Sequence, residues 1–165
     1  MARSSTDAAA AVSLSILDRL IDEDPDVSTE VAPTRSQSVR QLKESLRRDL
    51  EWLLNTRRIA VPPDESLKEV NRSVYVFGLP DFTAYSLRSP QDQAKLVRYL
   101  HSTVKLFEPR LSNVRVVSLE ETASAARTLR FRIEGLLMMD PAPERVSFDT
   151  VLELTRGEYE VRNAG

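Results

Sequence analysis

The sequence predicts an α+β domain in which two to three helices pack on an antiparallel β-meander of three to four strands. Two observations predict this fold class. Apolar residues recur at helical spacing through the first two thirds of the chain, and at a spacing of two through the last third. Helices that precede the strands, rather than alternate with them, are typical of α+β proteins. The 165 residues, 41% apolar and 29% charged, suffice for one such domain with an arm.

The first predicted helix is short and amphipathic. We predict a flexible tail over residues 1–11, a docking helix over 12–25 and a polar linker over 26–37. The apolar stripe of the docking helix consists of Ile16, Leu17, Leu20 and Ile21. A helix of about 11 residues is marginal in isolation. We therefore expect it to dock either on the core of its own chain or on another subunit.

The second predicted helix opens the main domain, which we expect to span residues 38–165. Ser38 and Gln41 have the spacing of a capping box, which places the start of the helix at Ser38. Apolar side chains then keep helical spacing until Asn55-Thr56 ends the helix. They are Val39, Leu42, Leu46, Leu50, Leu53 and Leu54.

The middle of the chain is predicted to be irregular until a third helix begins. Pro62-Pro63 prevents regular structure, residues 73–77 suit a short strand or a turn of helix, and Gly78–Asp81 predicts a turn. Ser89 followed by Pro90 combines an N-cap residue with a proline at the first helical position. The apolar face of this third helix comprises Val97, Leu100, Val104 and Phe107.

Four runs of alternating apolar and polar residues predict the strands. The runs are Val114–Val116, Leu129–Ile133, Val146–Phe148 and Tyr159–Val161. The outward row Arg130, Arg132 and Glu134 is either the solvated face of a half-buried strand or a set of charges that steers a partner strand. Residues 136–139 are apolar on both faces, which predicts that this segment is covered from both sides.

The composition disfavours several classes of function. A net charge of −2 argues against binding of nucleic acid by the whole chain. No stretch approaches the roughly 18 consecutive apolar residues of a membrane-spanning helix. Because the chain has no cysteine and no apolar signal region near its N-terminus, we expect a cytoplasmic protein. Of 23 basic residues 19 are arginine, which favours a protein interface, although GC-rich coding produces the same bias.

Candidate catalytic and metal-binding residues are few. The single histidine, His101, lies in the third predicted helix without a surrounding motif, so we expect a structural or solvent-facing role. A zinc site needs three or four Cys or His ligands, and the four glycines form no phosphate-binding pattern. We therefore predict no catalytic residue, no metal and no cofactor.

Glu108 is an unusual residue for the C-terminal end of a helix. It ends the third predicted helix, where the helix dipole disfavours a negative charge, and Pro109 draws it out of helical conformation. A glycosidase acid must hold a proton, whereas Arg110 two residues later favours the carboxylate. The residues leave two interpretations open, a structural ion pair with a nearby arginine or a site that a partner occupies.

Several stretches together resemble one family. They are Leu14–Leu20, Leu46–Arg57, Ser73-Val74 with Phe77–Asp81, Phe107–Leu111 and Phe148–Thr150. In this order and spacing, over residues 14–162, the chain resembles TssE, the lysozyme-like baseplate subunit of bacterial type VI secretion systems. That subunit is similar to a wedge protein of contractile phage tails. The chain departs from the family pattern at Phe77, where a tyrosine is expected.

The resemblance implies a structural role and no enzymatic activity. Such subunits join the wedge proteins TssF and TssG in a cytoplasmic, membrane-docked baseplate, and TssK is a further candidate partner. Such subunits are also similar to the strand-exchanging end of the tail sheath. This similarity implies a docking point from which TssB and TssC polymerise. By match to the family's Glu-Pro-Arg motif, Glu108, Pro109 and Arg110 are the expected partner-binding residues. Neither nucleic-acid binding nor direct membrane insertion is expected.

Two alternatives stay open at this point. An acidic peptidoglycan hydrolase, or muramidase, would use Glu108 as its acid and Asp81 or Asp149 as the partner carboxylate. A regulatory adaptor would bind other proteins outside any secretion machine.

Overall fold

The computed structural model describes residues 15–21, 34–82, 85–86, 89–119, 128–153 and 157–164. These residues form three α-helices and a four-stranded antiparallel sheet, which confirms the predicted α+β class. The elements are α1 Ile16–Leu20, α2 Arg35–Asn55, α3 Pro90–Phe107, β1 Leu111–Leu119, β2 Thr128–Leu137, β3 Glu144–Glu153 and β4 Glu158–Asn163. The predicted tail and most of the predicted linker lie outside the described residues.

The chain divides into two compact units, Met1–Leu46 and Arg47–Gly165, with the boundary inside α2. In the first unit Ser15 caps α1 by accepting a hydrogen bond from the Asp18 backbone N–H at 3.1 Å. The Ser45 hydroxyl of α2 donates to the Asp18 carboxylate at 2.7 Å. The apolar stripe of α1 is solvent-exposed, with Ile16 and Leu20 each 76% exposed.

Helix α2 begins one turn earlier than predicted. The Thr34 backbone N–H donates to Gln37 Oε1 at 2.8 Å, and the Gln37 backbone N–H donates to Thr34 Oγ1 at 3.4 Å. These are the reciprocal bonds of a capping box. Ser38 is fully buried instead, and its hydroxyl donates to the Arg35 carbonyl at 2.9 Å. The predicted cap is therefore wrong, because the same residue pattern occurs twice in succession and the earlier copy starts the helix.

Helix α3 has the start that was predicted for it. Ser89 accepts a hydrogen bond from the Asp92 backbone N–H, and Pro90 occupies the first turn. Leu100 and Val104 are buried as predicted. Leu96 is buried as well, whereas Val97 is half-buried, so the buried face is rotated by about one residue from the predicted stripe.

The sheet of the second unit has the order β1-β2-β3-β4, with every neighbouring pair antiparallel. Phe131 and Ile133 of β2 and Phe148 of β3 are almost wholly buried, and α3 packs beside β1. Burial of each such side chain contributes about 1.5–3 kcal/mol. The run of residues 136–139 is covered in part, since Leu137 is buried and Met138 is exposed.

The turn predicted at Gly78 is present and tightly constrained. Gly78 has φ of 97°, and a Cβ atom there would lie 2.3 Å from the Thr56 carbonyl oxygen. The Leu79 backbone N–H donates to that carbonyl at 2.8 Å, and the Arg58 N–H donates to the Leu79 carbonyl at 2.9 Å. The preceding segment forms a 3₁₀ turn over Val74–Val76, the second of the two predicted alternatives.

Candidate functional site

The Glu-Pro-Arg segment lies in the short connection between α3 and β1. Glu108 is the C-cap of α3, and its backbone N–H donates to the Val104 carbonyl at 2.9 Å. Pro109 has no N–H and cannot continue the helix hydrogen bonding. The Arg110 carbonyl accepts from the Met138 N–H at 2.8 Å, at the end of β2. Both ends of the segment are therefore anchored, one in the helix and one in the sheet.

The side chains of Glu108 and Arg110 form a bidentate ion pair. Glu108 is only 5% exposed. Its Oε1 accepts from Arg110 Nε at 2.7 Å and from the Arg110 backbone N–H at 3.1 Å, while its Oε2 accepts from Arg110 Nη2. This two-point contact fixes both the position and the plane of the guanidinium.

Asp49 of α2 is a second carboxylate partner of Arg110. Its Oδ2 lies 2.7 Å from Arg110 Nη2, and its Oδ1 accepts from Arg48 Nε at 3.2 Å and from Arg48 Nη2 at 3.0 Å. Sequence reasoning missed this partner. The available signal was the position of Asp49 next to the buried Leu50, which places it at the border of the apolar stripe of α2.

Two carboxylates around one guanidinium keep it charged. The hydrogen bond to Glu108 raises the pKa of Arg110 well above its ordinary value; partial burial opposes this effect, and Asp49 adds to it. The Arg110 side chain is 25% exposed, and Pro109 is exposed. The surface at this point therefore presents Pro109 and one part of a rigidly held cation, with the Glu108 carboxylate behind them.

A second group of polar contacts joins side chains of α2 to the backbone along the outer edge of β4. Asn55 Nδ2 donates to the Tyr159 carbonyl, and the Tyr159 N–H donates to Asn55 Oδ1, both at 2.8 Å. Arg47 Nη1 donates to the Val161 carbonyl at 3.1 Å, and the Val161 N–H donates to Glu51 Oε1 at 3.4 Å. Because the three α2 residues are spaced four apart, they lie on one face of the helix. Their side chains satisfy backbone groups that an additional strand would otherwise bind.

The hydrolase alternative names Asp81 and Asp149 as the partner acids of Glu108. Asp149 is paired with Arg132 through bonds of 2.7 and 3.2 Å on the outer face of the sheet. Asp81 is exposed, and His101 is half-buried in α3. Within the described ranges, no group of three or more His, Cys, Asp or Glu residues is arranged to hold a metal ion. None of the helices described here is both long enough and apolar enough to cross a membrane.

Comparison with known proteins identifies the family. The family model described as baseplate wedge protein gp25 matches residues 40–142, more than half of the chain. The chain belongs to the baseplate wedge protein gp25 family. The matched part of this wedge protein includes most of α2, all of α3, the Glu108–Arg110 segment, β1 and β2.

Two further comparisons accompany the family match. One chain of a solved structure described as "The baseplate complex from the type VI secretion system" is similar to this wedge protein, with 20% sequence identity and a TM-score of 0.48. The similarity covers 68% of this chain and 94% of that chain. The comparison with curated proteins found no match.

Proposed function

We propose that this wedge-family protein is a TssE-like structural subunit of a type VI secretion baseplate, and that it is not an enzyme. In this role it binds the wedge proteins TssF and TssG in the cytoplasm, with TssK as a further candidate partner. It also offers the docking point from which the TssB–TssC sheath polymerises. Membership of the baseplate wedge family supports the general role. The ordered sequence stretches that resemble TssE support the assignment to this type of machine.

The main support for the proposed binding site is the fixed orientation of the Arg110 guanidinium. Two carboxylates from different parts of the second unit, Glu108 and Asp49, orient it at the surface beside Pro109. Arginine held in a fixed plane is well suited to bidentate recognition of a partner, because little conformational freedom is lost on binding. In the proposal Pro109 and Arg110 contact the partner directly, and the buried Glu108 is a positioning residue that acts through Arg110.

The muramidase alternative receives no support from this arrangement. A general acid must deliver a proton to the leaving group of the substrate. Both oxygens of Glu108 instead accept hydrogen bonds from Arg110, and the side chain is nearly inaccessible. Purified protein that cleaves peptidoglycan between about pH 4 and 8, the range of catalytic carboxylates, would restore this alternative.

The proposal is tested by pull-down of a tagged chain from cells that express the complete machine. We compare wild type with Pro109→Asp, which adds a charge to the exposed contact surface and leaves the buried ion pair in place. The matched control is Pro143→Asp, an exposed proline in the turn between β2 and β3. Wild type and P143D are expected to retain wedge and sheath proteins, while P109D loses one of these two classes.

Two outcomes would contradict the proposal at different levels. If folded P109D retains both classes of protein, the surface formed by Pro109 and Arg110 is not the binding site. If wild type recovers neither class, the proposed baseplate role is wrong, and the alternative of a regulatory adaptor is favoured. The Arg110→Lys variant provides a second test of the site, because it retains the charge but loses the planar fork.

A further inference from the structure

A small cavity lies between α3 and the connection that leads to it from α2, within the second unit. Its volume is about 120 Å³. A cavity of about 150 Å³ in another protein holds one benzene molecule, whereas pockets for drug-sized ligands have about 300–1,000 Å³. The space therefore suits one side chain rather than a complete small molecule. Its apolar lining consists of Ile59, Pro62, Pro63, Val76, Leu106 and Phe107.

Apolar side chains at this cavity also face the solvent. Ile59 is 40% exposed and Leu106 is 39% exposed, and they belong to opposite walls, one in the connection and one in α3. Val61, which precedes the lining residue Pro62 in the chain, is 74% exposed. Apolar surface around a pocket of this size is typical of sites at which another protein inserts a single anchoring side chain.

Arg58 brings a positive charge to the lining of the cavity. Its Cζ lies 5.6 Å from the centre of the Tyr99 ring, within the range of a cation–π contact. Its backbone N–H donates to the Leu79 carbonyl at 2.9 Å, so the main chain of this residue is fixed as well. In the part of the chain that the structure describes, the guanidinium forms neither an ion pair nor a hydrogen bond.

The state of Arg58 contrasts with that of Arg110, whose guanidinium is held by two carboxylates. The N–H donors of Arg58 have no acceptor among the described residues, while the contact with Tyr99 limits the movement of the group. A carboxylate is the acceptor that best matches the planar fork of a guanidinium. Because Arg58 is already oriented, little conformational freedom is lost when such an acceptor binds.

We propose that this cavity receives an apolar side chain from a segment of another protein, and that an aspartate or glutamate next to that side chain pairs with Arg58. The size of the cavity and its apolar lining select the anchoring side chain, and the charge of Arg58 selects its acidic neighbour. The apolar contact supplies most of the affinity, and the ion pair supplies selectivity. This second binding surface does not depend on the proposed role of Pro109 and Arg110.

Three capped tetrapeptides test the two features separately. Acetyl-Gly-Leu-Asp-Gly-amide carries both, the Leu-Asn peptide lacks only the charge, and the Ala-Asp peptide lacks only the anchor. Each is titrated into the full chain, and NMR follows the backbone amides of Ser102 and Thr103 and the Nε–H of Arg58. We expect the Leu-Asp peptide to shift all three signals. The Leu-Asn peptide should bind about fivefold more weakly, and the Ala-Asp peptide at least about tenfold more weakly.

Two variants change the cavity, and each has a matched control on α3. Arg58→Gln removes the cation, whereas Arg98→Gln removes an exposed cation outside the lining. Ser102→Phe places a ring at the cavity from an exposed position, whereas Ala94→Phe adds the same ring at an exposed position outside it. We expect R58Q to bind the Leu-Asp and Leu-Asn peptides equally, and S102F to bind neither. The controls should bind as wild type does.

Thermal unfolding shows which variants are folded, and if R58Q is not, the comparison of S102F with A94F decides the test. The proposal is wrong if the Leu-Asp peptide shifts none of the three signals in wild type. It is also wrong if folded S102F binds this peptide as tightly as A94F does. Equal binding of the Leu-Asp and Leu-Asn peptides by wild type would show that Arg58 does not select a carboxylate.

Two further measurements distinguish other occupants of the cavity. If acetyl-leucine binds as tightly as the Leu-Asp peptide, the site recognises a small carboxylic acid rather than a protein segment. If analytical ultracentrifugation shows a dimer of wild type that R58Q dissociates and R98Q retains, a second copy of this chain fills the cavity. Either result would overturn the assignment to another protein. A monomeric wild type that binds acetyl-leucine more weakly than the peptide supports it.

Discussion

Asn55 of α2 exchanges two hydrogen bonds of 2.8 Å with the backbone of Tyr159 in β4, although the two residues are 104 positions apart in the chain. A neighbouring strand would form the same pair of bonds. Glu51 and Arg47 extend this contact to Val161, one and two helical turns earlier. The helix therefore occupies the β4 edge of the sheet in the place of a further strand.

Asn55→Ala is expected to destabilise the protein by about 1–3 kcal/mol, because it leaves a backbone N–H and C=O of Tyr159 without their partners. Urea denaturation measures the free energy of unfolding, and hydrogen exchange of the Tyr159 amide reports the local opening of the edge. Gln41→Ala, an exposed change on the same helix, is the control and is expected to leave both quantities unchanged. Equal stability of the two variants would show that the edge contact contributes little.

Glu108→Ala is expected to cost about 2–4 kcal/mol of folding free energy, because it removes the buried partner of Arg110 and leaves only Asp49 to compensate that charge. Chemical denaturation provides the measurement. The control is Glu160→Ala, which breaks an exposed ion pair with Arg162 and is expected to have no measurable effect. A loss below about 1 kcal/mol for E108A would contradict the description of Glu108 as a structural support for Arg110.

Gly78→Ala is expected to be more destabilising than Gly157→Ala, and the comparison separates two effects. Both glycines have positive φ, at 97° and 66°, so both substitutions carry the conformational cost of about 1–2 kcal/mol. An added methyl group at Gly78 also collides with the backbone of Thr56, whereas at Gly157 its nearest neighbour is the flexible end of Arg57 at 3.6 Å. Thermal unfolding of the two variants should therefore differ, and equal melting temperatures would mean that the turn at Gly78 relaxes easily.

Much of the fold is predictable from the sequence because its signals are local. The Ser89-Pro90 start of α3, the alternation in all four strands and the turn at Gly78 each depend on a few neighbouring residues. The start of α2 cannot be predicted from local signals alone. Thr34–Gln37 and Ser38–Gln41 have the same capping pattern, and local chemistry does not choose between them.

The arrangement around Arg110 could be predicted only in part. The pairing of Glu108 with Arg110 spans two residues and was one of the interpretations that the sequence left open. The contact between Arg110 and Asp49 spans 61 residues and depends on where α2 lies against the start of the sheet. The closure of the β4 edge depends on the same placement. Neither can be read from local patterns.

The role in sheath assembly is tested most directly in cells that carry a fluorescent sheath subunit and have lost their own copy of this chain. The cells are complemented with wild type, Pro109→Asp or the control Pro143→Asp, each expressed at the same level. We expect wild type and P143D to restore sheath assembly, while soluble P109D leaves few or no sheaths. Sheaths that form equally often in P109D cells, or in cells without the chain, would contradict the proposed role.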